Sequence, residues 1–472
     1  MTRKSGTFPC AIVAVILLHV FVAASDGEPA KPSGHTFNVL EHGAAGDGVS
    51  LDTTAINRTI AACAAAGGGV VRFPAGRYLC GTVRLHSHVH VLLEEDAVLV
   101  GTTNLDQYVA PAVPSFMPEA KWGKWHRGLI VGENAEDVSI TGTGVIDGNK
   151  VFDPAGEEHM RGPHSIVFVN CHNFSVRDIS IVDAANYAIL FEVSDDVEVR
   201  NIKITGGWDG VHFRGAPGHW CHNVTIVGCQ FYTGDDSIAG RYWDNVLVSG
   251  CIVNSSCNGI RLIGPAEHLM ISDCIFYGPG RRPHRTGGRT NMLSGIILQP
   301  GAWDPTEGKL DEVFVANNVM RDVASPVTIW TKAGNPVGRI IIAGLQATGV
   351  YRSALSVESW SDIPITNVVV RNASIEFSGG GTSQQAQQTV KGPGVDARPL
   401  PAWGVYVRNV EKLALEDVRL EFARRDLRPV IMADRVQNLS LDNVRFPHLP
   451  EVTVPIATTN VATLILDGAE PK

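Results

Sequence analysis

A chain of 472 residues has room for two or three ordinary domains, but repeat architectures run much longer as one unit, so an internal repeat is sought before any boundary. The formal net charge of -9 excludes general attraction to nucleic acid and leaves open only a local basic cleft. The 9 cysteines, scattered over this length, do not form a disulfide scaffold or a pair of zinc-type pairs.

The first residues read as an address. Thr2-Arg3-Lys4 is followed by an apolar run over residues 11–24 and by small residues at Ala23-Ala24-Ser25, which predicts a secretory signal peptide over residues 1–25. The run is too short for a membrane span, and Cys10 precedes it, so a lipid anchor is not expected. The expected location is secreted or periplasmic, with no membrane partner. Residues 26–35, rich in Pro and Gly, read as a linker, and residues 36–472 as one domain. With Cys10 removed, Cys63, Cys80, Cys171, Cys221, Cys229, Cys251, Cys257 and Cys274 remain, an even set compatible with buried thiols and one or two bridges.

Residues 53–66 carry apolar side chains at helical spacing and stop at Gly67-Gly68-Gly69, which predicts a helix. Its expected purpose is to cap the open end of a coil. From Asn173 the chain then restates one phrase: Asn173-Phe174-Ser175-Val176, Asp196-Val197-Glu198-Val199, Asn223-Val224-Thr225-Ile226, Asn245-Val246-Leu247-Val248, His268-Leu269-Met270-Ile271 and Glu312-Val313-Phe314-Val315. The unit is about 22–23 residues and its apolar residues alternate with period two, so the fold class is all-β, a single-stranded right-handed parallel β-helix. Cys229, Cys251 and Cys274 recur at one point of successive units and read as a stacked inward column. The unit from His268 to Glu312 is almost twice as long and holds a Gly/Pro/Arg-rich insertion over residues 278–290, a candidate binding loop.

Aligning the units with one another places the polar residues. The third strands read Asp209-Gly210-Val211-His212-Phe213-Arg214, Asp236-Ser237-Ile238-Ala239-Gly240-Arg241, Asn258-Gly259-Ile260-Arg261-Leu262-Ile263 and Ser294-Gly295-Ile296-Ile297-Leu298-Gln299. Val211, Ile238, Ile260 and Ile296 then face inward, and period two turns His212 and Arg261 outward in one column and Arg214, Arg241 and Gln299 in the next. At the strand heads Asp209 and Asp236 stack about 4.8 Å apart, with Asp235 beside them and Asn258 above. A single Asp at a β-helix bend is an ordinary turn residue. Three such acids beside outward arginines repel one another, so at least one holds its proton unusually tightly, as a general acid must, while another stays ionised to activate water.

At these residues the chain resembles glycoside hydrolase family 28, the polygalacturonase-like enzymes. Phe37-Asn38-Val39-Leu40-Glu41-His42-Gly43-Ala44-Ala45-Gly46-Asp47-Gly48 is similar to the opening of many pectin-active β-helices, and Gly81-Thr82-Val83-Arg84-Leu85-His86-Ser87-His88-Val89-His90 and Gly142-Thr143-Gly144-Val145-Ile146-Asp147-Gly148 resemble later family blocks. The resemblance implies inverting hydrolysis with Asp235 as general acid and with Asp209 and Asp236 holding the water. Two family motifs depart. A Gly-His-Gly is replaced by Cys257-Asn258-Gly259, removing a histidine near the acid, and an Arg-Ile-Lys aligns with Ile297-Leu298-Gln299. The departures point to an acidic polysaccharide other than plain homogalacturonan, gripped by Arg241 and Arg261 or by Arg281, Arg282, Arg285 and Arg289. Asn258, Arg261, Arg241, Arg214, His212, Gln299 and Trp208 are the expected substrate contacts. Trp208, Trp243 and Trp330 are read either as platforms for sugar rings or as coil edges, and Trp122, Trp125 and His126 as a loop closing one end of the cleft.

No cofactor or metal is expected for hydrolysis, and a monomer with a polysaccharide substrate is the expected working form. Two other readings use the same fold. A lyase would bind Ca²⁺ at the three aspartates and use Arg241 or Arg261 as base. A β-helix that only grips glycan would need no chemistry.

Overall fold

The computed structural model describes residues 34–118, 125–468 and 470–471. The signal peptide read over residues 1–25, most of the linker and Trp122 lie outside these residues.

The chain winds as a stack of coils in which each strand pairs in parallel with its counterparts one coil below and one coil above. Asp195–Arg200 lies between His172–Arg177 and Cys221–Val227, Lys203–Thr205 between Ser180–Val182 and Gln230–Thr233, and Val211–Arg214 between Ile189–Glu192 and Ile238–Arg241. Three parallel faces result, as the repeat predicts. The register of the third face is the predicted one: Val211 pairs with Ile238, Ile238 with Ile260 and Ile260 with Ile296.

The repeated phrase has a backbone cause. Its first residue takes a left-handed conformation in every unit, with φ of 50° at Asn173, 55° at Asp196, 56° at Asn223 and 53° at Asn245. Asn and Asp tolerate this region better than other side-chain-bearing residues. Their side chains also bond along the stack, Asn223 Nδ2 donating to Asp196 Oδ1 at 2.8 Å and Asn245 Nδ2 to Asn223 Oδ1 at 3.2 Å. His268 and Glu312 hold the same bend with φ of 51°.

Inside, apolar columns are fully buried, including the rings of Phe174, Phe191, Phe213 and Trp243. Phe191 stacks on Phe213 at 4.8 Å and Phe213 on Trp243 at 4.1 Å. Trp243 is therefore a core residue whose Nε1 donates to Phe213 O, and it offers no face to a ligand. Trp330 is likewise buried, its Nε1 donating to Ser356 Oγ. The helix forms over Thr53–Ala65 and buries Ala55, Ile56, Thr59, Ile60 and Cys63 against the first strands, closing that end of the coil.

The eight cysteines after Cys10 are all buried and free, the buried-thiol reading, and none of them is bridged. Cys229, Cys251 and Cys274 do stack, but each thiol donates to the carbonyl two residues before it, at Val227, Ser249 and Ser272. Residues 102–118, 125–127, 148–163, 278–293, 299–309 and 378–404 lie in long loops, and these loops supply the walls around the outward face of the third sheet.

Candidate active site

Asp209 and Asp236 head two adjacent strands of the third face. The ladder continues back to them, Gly210 N donating to Asp236 O at 3.0 Å. The backbone of Asp235 is pinned by two hydroxyls, Thr233 Oγ1 and Ser255 Oγ, which donate to its carbonyl at 2.8 and 2.7 Å. All three carboxyls are buried and line one cavity of about 390 Å³, together with Arg161, His212, Arg261, His284, Arg289, Trp303 and Asp396.

Different partners hold the three acids. Asp236 Oδ1 accepts from Asn258 N and Nδ2, both at 2.9 Å, and its Oδ2 accepts from Arg261 Nη1 at 3.2 Å. Asp235 Oδ2 accepts from Arg161 Nη2 at 3.1 Å and lies 3.6 Å from His284 Nε2. Asp209 Oδ2 meets the imidazole Nδ1 of His212 at 2.8 Å. Their charges separate accordingly. Burial raises the Asp209 carboxyl well above the usual carboxylate range, and the charges of Asp235 and Asp236 raise it further, with Arg161 offsetting only part. Burial also raises Asp236, against the pull of Arg261. Burial would raise Asp235 too, but His284 and Arg161 outweigh it and hold that carboxyl far below its ordinary value. Of the three, Asp209 is pushed well above the ordinary carboxylate range and Asp235 is held below it.

His212 stacks on Tyr187 at 4.6 Å with the rings within 3° of parallel. Its Nε2 is buried without a hydrogen-bond partner among the described residues, and the side chain lines the cavity. Burial and the nearby Arg214 and Arg241 push the His212 ring well below its usual range.

Beside the acids a second hollow of about 180 Å³ shares Glu157, Tyr187, His212, Ile263 and Trp303 with the first. Arg214 and Arg241 line it, as do Trp125 and His126 of the predicted end-closing loop. Arg214 pairs with Glu192 at 2.7 Å and lies 4.3 Å over Trp125, while Arg241 pairs with Asp304 at 3.0 Å.

Three expected substrate contacts are corrected by their surroundings. Trp208 is fully buried, covered at 3.7 Å by the Arg161 guanidinium, so it supports that arginine instead of stacking on sugar. Asn258 is buried and spends its amide on Asp236. Gln299 is also buried; with its amide in the satisfied orientation it accepts from Arg261 Nε at 2.7 Å and donates to Val395 O at 3.1 Å. Arg261 is thereby fixed between Asp236, Gln299 and Asp396. Of the four arginines in the insertion, Arg289 alone is among the residues lining the acid cavity, and Arg281 lies against Tyr232 and Tyr277 on another face.

Arg161, His284, Trp303 and Asp396 were not found from sequence. They sit on loops outside the repeat register, where no alignment of units places them; Trp303, 55% exposed, is the aromatic surface the cleft offers. The insertion also returns a histidine to the acid, His284, after the loss at Asn258.

Among the described residues two groups have metal-ligand geometry, Glu158 with Asp235 and His284, and Asp235 with Asp236 and Cys257. Calcium takes roughly six to eight oxygen ligands. Each group offers only two carboxylates beside an imidazole or a thiol, and Arg161 and Arg261 already bond to them. The donor sets do not suit the calcium that a lyase would require.

Comparison with known proteins places these observations. The profile of glycosyl hydrolases family 28 matches residues 71–262, and that of rhamnogalacturonase A/epimerase, pectate lyase-like, matches residues 36–101. A probable polygalacturonase of Vitis vinifera is 27% identical over 52% of this chain and 55% of its own length, so the chain spans about half of that relative. An exopolygalacturonase of Arabidopsis thaliana is 22% identical over 76% of this chain and 82% of its own. The solved exopolygalacturonase of Thermotoga maritima superposes with a TM-score of 0.63 at 18% identity, covering 83% of this chain and 93% of that one, and shares the fold.

Proposed function

We propose that the chain is a member of glycosyl hydrolases family 28, whose profile matches residues 71–262, and that it is a secreted hydrolase of an acidic, pectin-like polysaccharide that works with inversion through Asp209, Asp235 and Asp236. The observation that carries this reading is the convergence, in one cavity, of three buried carboxyls from two adjacent coils, each held by different partners. Hydrolysis needs a proton for the leaving oxygen and a base for water, and a cluster holding one shared proton supplies both.

In this reading Asp235 delivers the proton and Asp209 with Asp236 orients the water. Burial favours the protonated form of Asp209, so the active arrangement forms when a proton passes from Asp209 to Asp235 within the cluster, with no change in the cluster's total charge. A uronate carboxylate entering the cleft favours the transfer, since it competes with Asp235 for Arg161 and raises the affinity of Asp235 for the proton. Arg214 and Arg241 face the neighbouring hollow and suit a second uronate. Trp303 offers its ring to a sugar face.

Asp235→Asn is expected to lower kcat on the best of a panel of acidic polysaccharides by about 10²–10⁴. Reducing ends would be followed together with ultraviolet absorbance, and the anomeric form of the first product by proton NMR. New absorbance would replace hydrolysis by elimination, retention would rule out the water-holding roles, and cleavage confined to neutral glycans would end the acidic-substrate reading.

A further inference from the structure

The insertion 278–293 is fastened to the coil beneath it at several points. Asn254 Nδ2 donates to Tyr277 O and Pro279 O at 2.7 and 2.9 Å, and its Oδ1 accepts from Arg281 N at 2.7 Å. Ser256 Oγ donates to Arg282 O at 2.5 Å, and Arg289 Nε donates to Ser256 O at 3.2 Å. The loop also closes on itself, His284 N donating to Arg289 O at 2.9 Å and Gly288 N to His284 O at 2.8 Å. A loop held this way places a side chain reproducibly, and the side chain it places in the acid cavity is His284, which is buried.

The ring's proton can be located. Gly287 N donates to His284 Nδ1 at 3.1 Å, and a backbone amide nitrogen only donates, so Nδ1 is the bare nitrogen. The neutral ring then carries its hydrogen on Nε2, the atom that faces Asp235 Oδ2 at 3.6 Å. The edge of the ring is fixed against Trp208 at 5.4 Å, with the two planes at 90°. Arg161 reaches the same carboxylate oxygen from the opposite loop, at 3.1 Å.

Resting on the hydrolase reading above, we infer that His284 is a positioning residue for Asp235. Its Nε2–H and the Arg161 guanidinium anchor the carboxyl through Oδ2 and leave the other oxygen to the reacting groups. The separation of 3.6 Å is long for a hydrogen bond and is of the kind that tightens when substrate closes a site. The insertion is thus part of the catalytic apparatus and not a surface decoration.

The groups that bear on Asp235 come from every side: Asp236 on its own strand, Asp209 below, Cys257 and Arg261 above, Glu158 and Arg161 on one loop, Arg289 and Asp396 on two others. Removing the imidazole leaves the others in place, so the ionisation of Asp235 reports on His284 separately. The test uses the full mature protein, His284→Ala and His284→Gln, the second of which keeps an N–H donor of similar reach. In the alanine variant the carboxyl ¹³C titration of Asp235, assigned by its loss in Asp235→Asn, is expected to move up by about one pH unit or more. Its kcat should fall roughly 10–100-fold with KM little changed, and the glutamine variant should recover most of both. An upward shift of the alkaline limb of the rate profile marks Asp235 as the acid, and of the acidic limb as the base; either supports the placement. An unchanged Asp235 titration in a folded alanine variant overturns it. If that variant does not fold, an unaltered titration in His284→Gln compared with His284→Leu does the same. Because the titration needs no turnover, a parent protein inactive on every polysaccharide would sink the hydrolase reading and still decide the contact.

Discussion

Asp209 differs from its two neighbours in having an imidazole, and no arginine, as its bonded partner. Its folded-state affinity for the proton is above that of the unfolded chain, so the stability it contributes is full below about pH 4 and is lost as pH rises through the folded value. At neutral pH the unfolded chain gains by ionising this carboxyl, and that gain is a cost to the fold. Asp209→Asn, which cannot ionise, should therefore melt about 2–4 °C above the parent near pH 7.5, with the difference vanishing near pH 4, while activity is lost. Differential scanning calorimetry at the two pH values checks this; equal melting temperatures at both would mean that Asp209 is not held protonated. The three aspartates were legible in the sequence because they stand in the repeat register, where a neighbour one unit away is a neighbour in space. The lowering of Asp235 against its two neighbours was not legible, since Arg161 and His284 reach it from loops that return to the site without periodicity. The same cause explains Trp208 and Gln299. Period two gave Gln299 its column correctly, and the path of residues 378–404 over that column could not be read from spacing.

At the scale of the coil, the repeated Asn or Asp fixes the bend that separates one strand from the next, and this is why the repeat was visible without an alignment to any other protein. A β-branched residue there clashes with its own carbonyl in the left-handed region and loses the bond along the stack. Asn223→Val is expected to destabilise the protein by about 1–3 kcal/mol, summing the backbone strain and two exposed side-chain hydrogen bonds. Asn223→Gly, which relieves the strain and forfeits only the bond to Asp196 and that from Asn245, should cost about 1 kcal/mol or less. Urea unfolding of the two variants separates the terms, and equal losses would assign the whole effect to the ladder. The elements built on this bend were predictable to the register. The insertion was predictable as a loop on one face, but only its anchoring to Asn254 and Ser256 shows that it reaches the acids.

For the molecule as a whole, the net charge of -9 and the arginine-lined cleft pull a polyanion in opposite directions. Which wins depends on distance. Within the cleft four of the five lining arginines are already matched to acids, Arg214 to Glu192, Arg241 to Asp304, Arg261 to Asp236 and Asp396, and Arg161 to Asp235 and Glu158, while Arg289 bonds to Ser256 O and Cys257 Sγ. At long range these pairs look nearly neutral, so an approaching chain senses mainly the acidic body of the protein. Close contact reverses the balance, because a uronate carboxylate exchanges with the cleft acids for the same guanidinium groups at a cost that bulk salt hardly touches. Raising ionic strength from about 0.01 to 0.15 M shortens the screening length from about 30 to 8 Å, which removes the long-range repulsion and leaves the buried contacts. KM for a long acidic polysaccharide should therefore fall several-fold over that range, while KM for a two- or three-sugar fragment, which feels little of the long-range field, stays level. A KM that rises with salt for both would mean that the cleft arginines act as free cations and that their pairing yields before the substrate arrives.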